Sequence, residues 1–300
     1  MQPLDMNIFR AFDGNRIREL KYLGYTRIGQ MEKDVLVNLK RVSIQLINET
    51  KKKYPKGELF NLINCDLETK LASNRMVDQY LNPYLRKVID TEKVDIYPVA
   101  HIIKPFGVKG DIWHQDAAIV DERKDYSLNA WMPLVNSNKL NGCLWIFPGS
   151  HINTNFARQF GYNPIQNNLL KSLKKYMIPV PVKAGEILLF HRSSIHGSSA
   201  NWLPMNRIAI ESIVVPKDVQ FYNFHRDENI VKNKVLGYQV EMKHFLKARP
   251  KDDFYVGVYP YVEFDDEGFE GISNSLLNNI SAFQQYANRF YNEDTTGNTE

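Results

Sequence analysis

The sequence predicts a mainly β fold with flanking helices, its strands forming an antiparallel sandwich or barrel of the jelly-roll kind. Three observations carry this. After residue 93 the chain breaks into short runs rich in β-branched and aromatic residues: 94–104, 127–135, 143–147, 177–183, 186–191 and 207–215. Turn signals separate them, among them PFGVKGD, NSNKLNG, PGSH, KAG and HGSSAN, and such punctuation marks antiparallel architectures. Helical periodicity, by contrast, is confined to the two ends of the chain.

Residues 15–30 read as a short helix, a Gly turn and a short strand. Over 31–54, Val35, Leu36, Leu39, Val42, Ile44, Leu46 and Ile47 recur at helical spacing, Lys51, Lys52 and Lys53 suit a C-terminal end, and Pro55 stops the helix. Residues 69–90 read as a second helix broken near Pro83. Helical patterns return at 236–249 and 272–292, and the final NEDTTGNTE is polar. No repeat or linker divides the 300 residues. The expectation is one domain: an N-terminal helical flank (1–92), a β core (93–220) and a C-terminal helical extension (221–300).

Composition narrows the function. A net charge of +4 without a dense basic block argues against nucleic acid. No apolar run of roughly 18 residues exists to span a membrane, and the N-terminus lacks the basic-then-apolar pattern of a signal peptide. Only Cys65 and Cys143 are present, far apart, which suits a reduced, cytoplasmic setting rather than a zinc or disulfide framework.

The chemistry concentrates in GDIWHQDAAIV (110–120). In a regular strand, residues two apart share a face. His114 and Asp116 then face one cavity and Gln115 turns away. A third ligand must come from elsewhere, and His196 qualifies, because it follows the strand run GEILLFHRSSIH and opens a Gly/Ser-rich turn. Two His and one carboxylate on one side of a metal leave the other side open, the arrangement of non-haem Fe(II) oxygenases. Eleven residues past His196, Arg207 opens the apolar strand RIAIESIVV. A guanidinium entering a buried strand needs an anion: either a protein carboxylate, or a small dicarboxylate bound at the metal. Ser198 shares the strand face of His196.

The sequence resembles the phytanoyl-CoA dioxygenase family of Fe(II)/2-oxoglutarate oxygenases. The matching runs, in family order, are WHQD (113–116), NAWMPL (129–134) with NGCLWIFPGSH (141–151), AGEILLFHRSSIHGSSAN (184–201) and Arg207, with LKYLGYTRIG (20–29) resembling the family's opening strand. The resemblance spans about residues 20–215 and implies a double-stranded β-helix (jelly-roll) core. It implies that His114, Asp116 and His196 ligate Fe(II), with no catalytic group beyond these ligands. Arg207 and Ser198 would grip the distal carboxylate of 2-oxoglutarate, and Trp131 and Asn129 would line the same pocket. The implied reaction consumes O2 and 2-oxoglutarate, releases succinate and CO2, and hydroxylates an unactivated C–H bond of a small molecule such as an acyl thioester, an amino acid or a natural-product scaffold. The carboxylate at 116 favours hydroxylation over halogenation, for which related enzymes carry a small residue there.

Tyr97, Phe106, Lys109 and Gln115 are expected to meet the substrate, and the long segment 151–176 suits a lid. His151 is assigned a structural role, and His101, His191, His225 and His244 are treated as non-ligands. Two rivals stand beside this reading. One is a catalytically inactive jelly-roll binding protein. The other is a cupin or JmjC-like protein hydroxylase, whose sites hold 2-oxoglutarate with a Lys from a different strand.

Overall fold

The computed structural model describes residues 7–10, 14–54, 61–62, 65–110, 113–160, 173–226, 234–247, 259–265 and 280. Gly14–Tyr22 (α1) leads into Tyr25–Gln30 (β1), and Gly24 makes the turn between them with φ 84°. Three helices follow: Lys33–Lys53 (α2), Leu67–Tyr80 (α3) and Asn82–Val88 (α4). Asp66 caps α3 by accepting from the Thr69 N–H at 3.0 Å. The expected break near Pro83 falls between α3 and α4, where Pro83 occupies the first turn, the one helical position that needs no N–H donor.

The strands then run Val94–Lys104 (β2), Leu128–Pro133 (β3), Leu144–Ile146 (β4), Ile178–Val180 (β5), Glu186–His191 (β6), His196–Ser198 (β7) and Arg207–Pro216 (β8). They form two sheets, a five-stranded one in the order β1-β6-β3-β8-β2 and a three-stranded one in the order β5-β4-β7. Alternation gives the large sheet two different faces. Leu128, Ala130, Met132, Ile187, Leu189, Ile208, Ile210 and Val214 pack outward with Leu39 and Ile47 of α2, Val77 of α3 and Leu85 of α4. Trp131, Leu188, Phe190 and Ala209 point inward, against Leu144, Ile146 and Val180 of the small sheet. The result is a two-sheet jelly roll with helices on one outer face. β1 joins the core as an edge strand, so residue 93 is not a structural divide.

The helical expectation for 236–249 is corrected. Phe221–His225 (β9), Lys234–Val240 (β10) and Tyr261–Asp265 (β11) form a third antiparallel sheet, and only Met242–Lys247 (α5) is helical. In β10, Leu236, Tyr238 and Val240 alternate into one buried cluster while Val235 joins another. The i, i+4 spacing of Leu236 and Val240 fits a helix as well as a strand, and burial on both faces decides for the strand. Apart from Ile280, the helix expected over 272–292 lies outside the described residues, as do residues 161–172 of the expected lid. No described helix is long and apolar enough to cross a membrane.

Candidate metal centre

The 110–120 run is not the regular strand its pattern suggests. Only one bridge forms: the His114 N–H donates to His196 O at 2.8 Å and the His196 N–H to His114 O at 2.9 Å. That exchange brings the two imidazoles side by side, with ring centroids 4.4 Å apart and the ring planes tilted by 52°. The Asp116 N–H then donates to Arg192 O at 3.1 Å, which turns its carboxylate toward both rings. Asp116 Oδ1 lies 3.8 Å from His114 Nε2, and Oδ2 lies 3.9 Å from His196 Nε2. One ligand atom from each of the three lies within 4.8 Å of the others, and this is the single such group of metal-capable side chains among the described residues.

His196 Nδ1 sits 2.9 Å from Ser194 O, which can only accept. The ring proton is therefore on Nδ1, and the lone pair of Nε2 faces Asp116, as a metal ligand requires. Burial, followed by the nearby His114, lowers the His196 pKa to about 4, so the ring is neutral at neutral pH. Burial alone would push Asp116 upward. Arg192, His196 and His114 and a hydrogen bond from Asn129 outweigh it and hold the carboxyl below its usual range. Two imidazoles and one carboxylate make a nitrogen-rich set with an open side, suited to a divalent first-row metal.

The cavity around this cluster, about 410 Å³, is lined by Lys104, Trp131, Phe190, Ser198, Arg207 and Glu211 among others. Arg207 is 3% exposed, and its Nε and Nη1 have no hydrogen-bond partner among the described residues. Its guanidinium stacks over the Trp131 ring, 5.2 Å from the centroid. Burial lowers its pKa to about 10, which leaves it charged at neutral pH. The protein-carboxylate partner considered for Arg207 is thus not there, and the unpartnered donors fit an anion brought in by a ligand.

Sequence reasoning missed Lys104. It pairs across β2 and β8 with Arg207, is buried, and its Nζ donates to Ser198 Oγ at 2.9 Å. The cause is a bulge in β2 between Pro98 and Ala100. Before it, Tyr97 faces inward opposite Ile213; after it, Ile102 and Lys104 face inward opposite Ala209 and Arg207. Uninterrupted alternation would have put Lys104 on the helix side. Glu211 was missed too, although Arg207, Ala209 and Glu211 share one strand face in RIAIE.

Three residues expected at the cavity, Asn129, Gln115 and Phe106, lie elsewhere. Asn129 does not line the cavity; its Nδ2 donates to Asp116 Oδ2 and its Oδ1 accepts from Arg192 Nη1 at 2.6 Å. It orients a ligand. Gln115 is buried on the far side, where its Nε2 donates to Thr154 O and Ser193 O. Phe106 is 57% exposed and lines neither inner cavity, whereas Lys109 lines the metal cavity and Tyr97 a second cavity beside it. His151 stacks on His191 at 4.4 Å, and His101 bridges Ser43 and Ser73, all away from the cluster.

Known proteins are similar to this chain over part of its length. The chain is 31% identical over 121 residues to phytanoyl-CoA dioxygenase 1 of Oryza sativa subsp. japonica, covering 38% of this chain and 42% of that protein. It is 32% identical over 111 residues to phytanoyl-CoA dioxygenase domain-containing protein 1 of Danio rerio, covering 34% and 38%. The matched stretch thus spans about two-fifths of the length of each of these relatives. Among solved structures, the non-heme alpha ketoglutarate dependent carbocyclase SnoK from nogalamycin biosynthesis superposes with a TM-score of 0.52 at 16% identity, covering 71% of this chain and 86% of that one. EctD from S. alaskensis with 2-oxoglutarate and 5-hydroxyectoine does so at 0.50 and 17%, covering 74% and 84%. These two likenesses are of fold. The family model for phytanoyl-CoA dioxygenase (PhyH) matches residues 51–208, more than half of the chain and a stretch that contains His114, Asp116, His196 and Arg207, and the protein belongs to that family.

Proposed function

We propose that this chain is an Fe(II)- and 2-oxoglutarate-dependent dioxygenase that hydroxylates an unactivated C–H bond of a small-molecule substrate. The observation that carries the reading is the pairing of an open two-His, one-carboxylate cluster with the unpartnered, buried guanidinium of Arg207 in the same cavity. The donor set suits iron, and the guanidinium suits a diacid beside it.

His114, Asp116 and His196 would hold the ion. Arg207 would take the distal carboxylate of 2-oxoglutarate as a bidentate pair, with Ser198 and Lys104 beside it. Trp131 lies against the guanidinium and keeps water from that face. When bound, iron with the keto-diacid supplies O2 activation, with succinate and CO2 as by-products and a hydroxyl delivered to carbon. The protein's own part is orientation. Asn129 and Arg192 fix the Asp116 carboxylate, and Ser194 O fixes the His196 ring.

The rival protein-hydroxylase reading rested on a Lys in place of Arg. Here Lys104 and Arg207 stand opposite each other in one register, so a lysine in the pocket does not favour that rival. Cys65 and Cys143 are both free, which supports a reducing, cytoplasmic setting. The test is succinate release from 2-oxoglutarate with Fe(II) and O2, screened across a metabolite library. Substrate-stimulated succinate is the expected result; none, with or without any metabolite, sinks the proposal in favour of a binding protein.

A further inference from the structure

Two cavities meet at one pair of carboxyl groups. The metal cavity carries the cations Lys104 and Arg207 on its wall. Its neighbour, about 220 Å³, is walled by Tyr97, Phe160, Ile213, Met242 and Phe245, together with Arg192, whose guanidinium is engaged by Asn129 Oδ1 and Asp116. Asp116 and Glu211 line both.

The two carboxyls are not equivalent. Asp116 is met by Asn129 and Arg192 as well as the histidines. Glu211 is 8% exposed, aims into the shared space from β8, and forms no hydrogen bond or ion pair with any described residue. Burying a carboxyl without a partner is costly, and native interiors rarely leave one so. Burial first, then the charge of Asp116, pushes its pKa up to about 8 against the pull of Arg192. The wall opposite is aromatic: Phe160 and Phe245 lie 5.7 Å apart, and Tyr97 and Phe245 each make an edge contact with Phe221, at 5.6 and 6.4 Å. Rings next to a buried acid favour an organic cation over a neutral or anionic guest.

We infer that Glu211 determines substrate choice by pairing with the ammonium group of a small amine, whose apolar arm lies against Tyr97, Phe160, Met242 and Phe245. This deepens the proposed function, since the arm then presents its C–H bonds beside Asp116. Lys104 and Arg207 face the other compartment. The diacid thus meets the cations Lys104 and Arg207, while the amine meets Glu211 in a compartment whose own cation, Arg192, is taken up by Asn129 and Asp116.

Calorimetric titration of the full chain tests this. The probes are 2-phenylethylammonium and n-pentylammonium beside their neutral counterparts, 2-phenylethanol and 1-pentanol. Each is titrated into metal-free protein and again, under nitrogen, into protein with Fe(II) and 2-oxoglutarate. At least one ammonium should bind about tenfold tighter than its alcohol, one decade being a modest yield for a buried ion pair. Glu211→Gln should abolish that preference, and Phe245→Ala should weaken the ammonium several-fold. Equal affinities in the wild-type protein, no heat from either ammonium, or a preference that survives Glu211→Gln would each overturn the inference. The wild-type comparison needs no variant, so a misfolded Glu211→Gln cannot shield it. Titration of 2-oxoglutarate into the Fe(II)-loaded wild type is read separately. Failure there overturns the dioxygenase reading, while the metal-free amine comparison still decides the role of Glu211.

Discussion

Asp116 is held through its backbone as well as its side chain. Arg158 Nε donates to its carbonyl at 2.8 Å, Arg192 O accepts from its N–H, and Asn129 donates to its carboxylate. Asp116→Ala should abolish succinate formation and Fe(II) binding, and unchanged turnover would refute the ligand assignment. Asn129→Ala leaves every proposed ligand in place but frees the carboxylate to rotate; Fe(II) affinity, followed by titration, should fall by about 10- to 100-fold. Arg207→Ala should raise the KM for 2-oxoglutarate at least about tenfold, because a buried carboxylate loses its partner. Arg207→Lys should restore little of that, since an ammonium cannot form the forked pair. That His114, Asp116, His196 and Arg207 gather at one cavity was legible in the sequence because the runs carrying them, each weak alone, occur together in one order. Asn129 was legible as a neighbour of the cluster but not in its role, which depends on a contact between β3 and a loop that adjacent residues do not encode.

At the scale of elements, the loop that carries Asp116 is fastened by a buried ion pair. Arg158, 1% exposed, pairs with Glu122 and also donates to Thr154 O and Phe156 O, at 3.0 and 2.9 Å. Arg158→Met strands Glu122 without a countercharge and should destabilise the fold by about 3–5 kcal/mol, measured by urea unfolding. A loss under about 1 kcal/mol, the range of a surface ion pair, would mean the loop is held by packing. Gly142 is a second element-level constraint. It has φ 81°, and a Cβ there would lie 2.5 Å from Lys104 Cδ and 2.8 Å from Ser199 O. Gly142→Ala should therefore push Lys104 out of the cavity and weaken 2-oxoglutarate binding, while titration of Fe(II) alone stays as in the wild type. The strand ranges in the core were legible from β-branched runs between turns. The third sheet was not, because a strand buried on both faces and a short buried helix share one hydrophobic pattern.

For the whole molecule, the face between the large sheet and its helices carries a titratable group. His101 sits fully buried between Ser43 of α2 and Ser73 of α3, and burial lowers its pKa to about 4. The folded state therefore refuses a proton that the unfolded chain, with a pKa near 6.5, accepts. Between these values the unfolded state binds more protons, so stability rises with pH and is lost on acidification from about pH 6.5 to pH 4. The shift amounts to about 2 kcal/mol of stability lost at pH 5 relative to pH 7. Urea unfolding at the two pH values should show a drop at least this large, and His101→Gln should flatten it; an unaltered slope in the variant would assign the acid sensitivity elsewhere. His101 was expected to be a non-ligand, yet the sequence could not place it opposite two serines of separate helices. The jelly roll itself was legible because its evidence is distributed over many short segments, so that one wrong strand does not change the architecture.

The extra residue in β2 has a consequence for how such a protein diversifies. It splits one strand into an upstream half that presents Tyr97 and a downstream half that presents Lys104, each to its own compartment. Under the proposed function, mutations upstream would retarget the chain toward a new molecule while the contacts offered to the shared keto-diacid are left intact. Deleting Val99 would fuse the halves and make every later change in taste also a change in fuel.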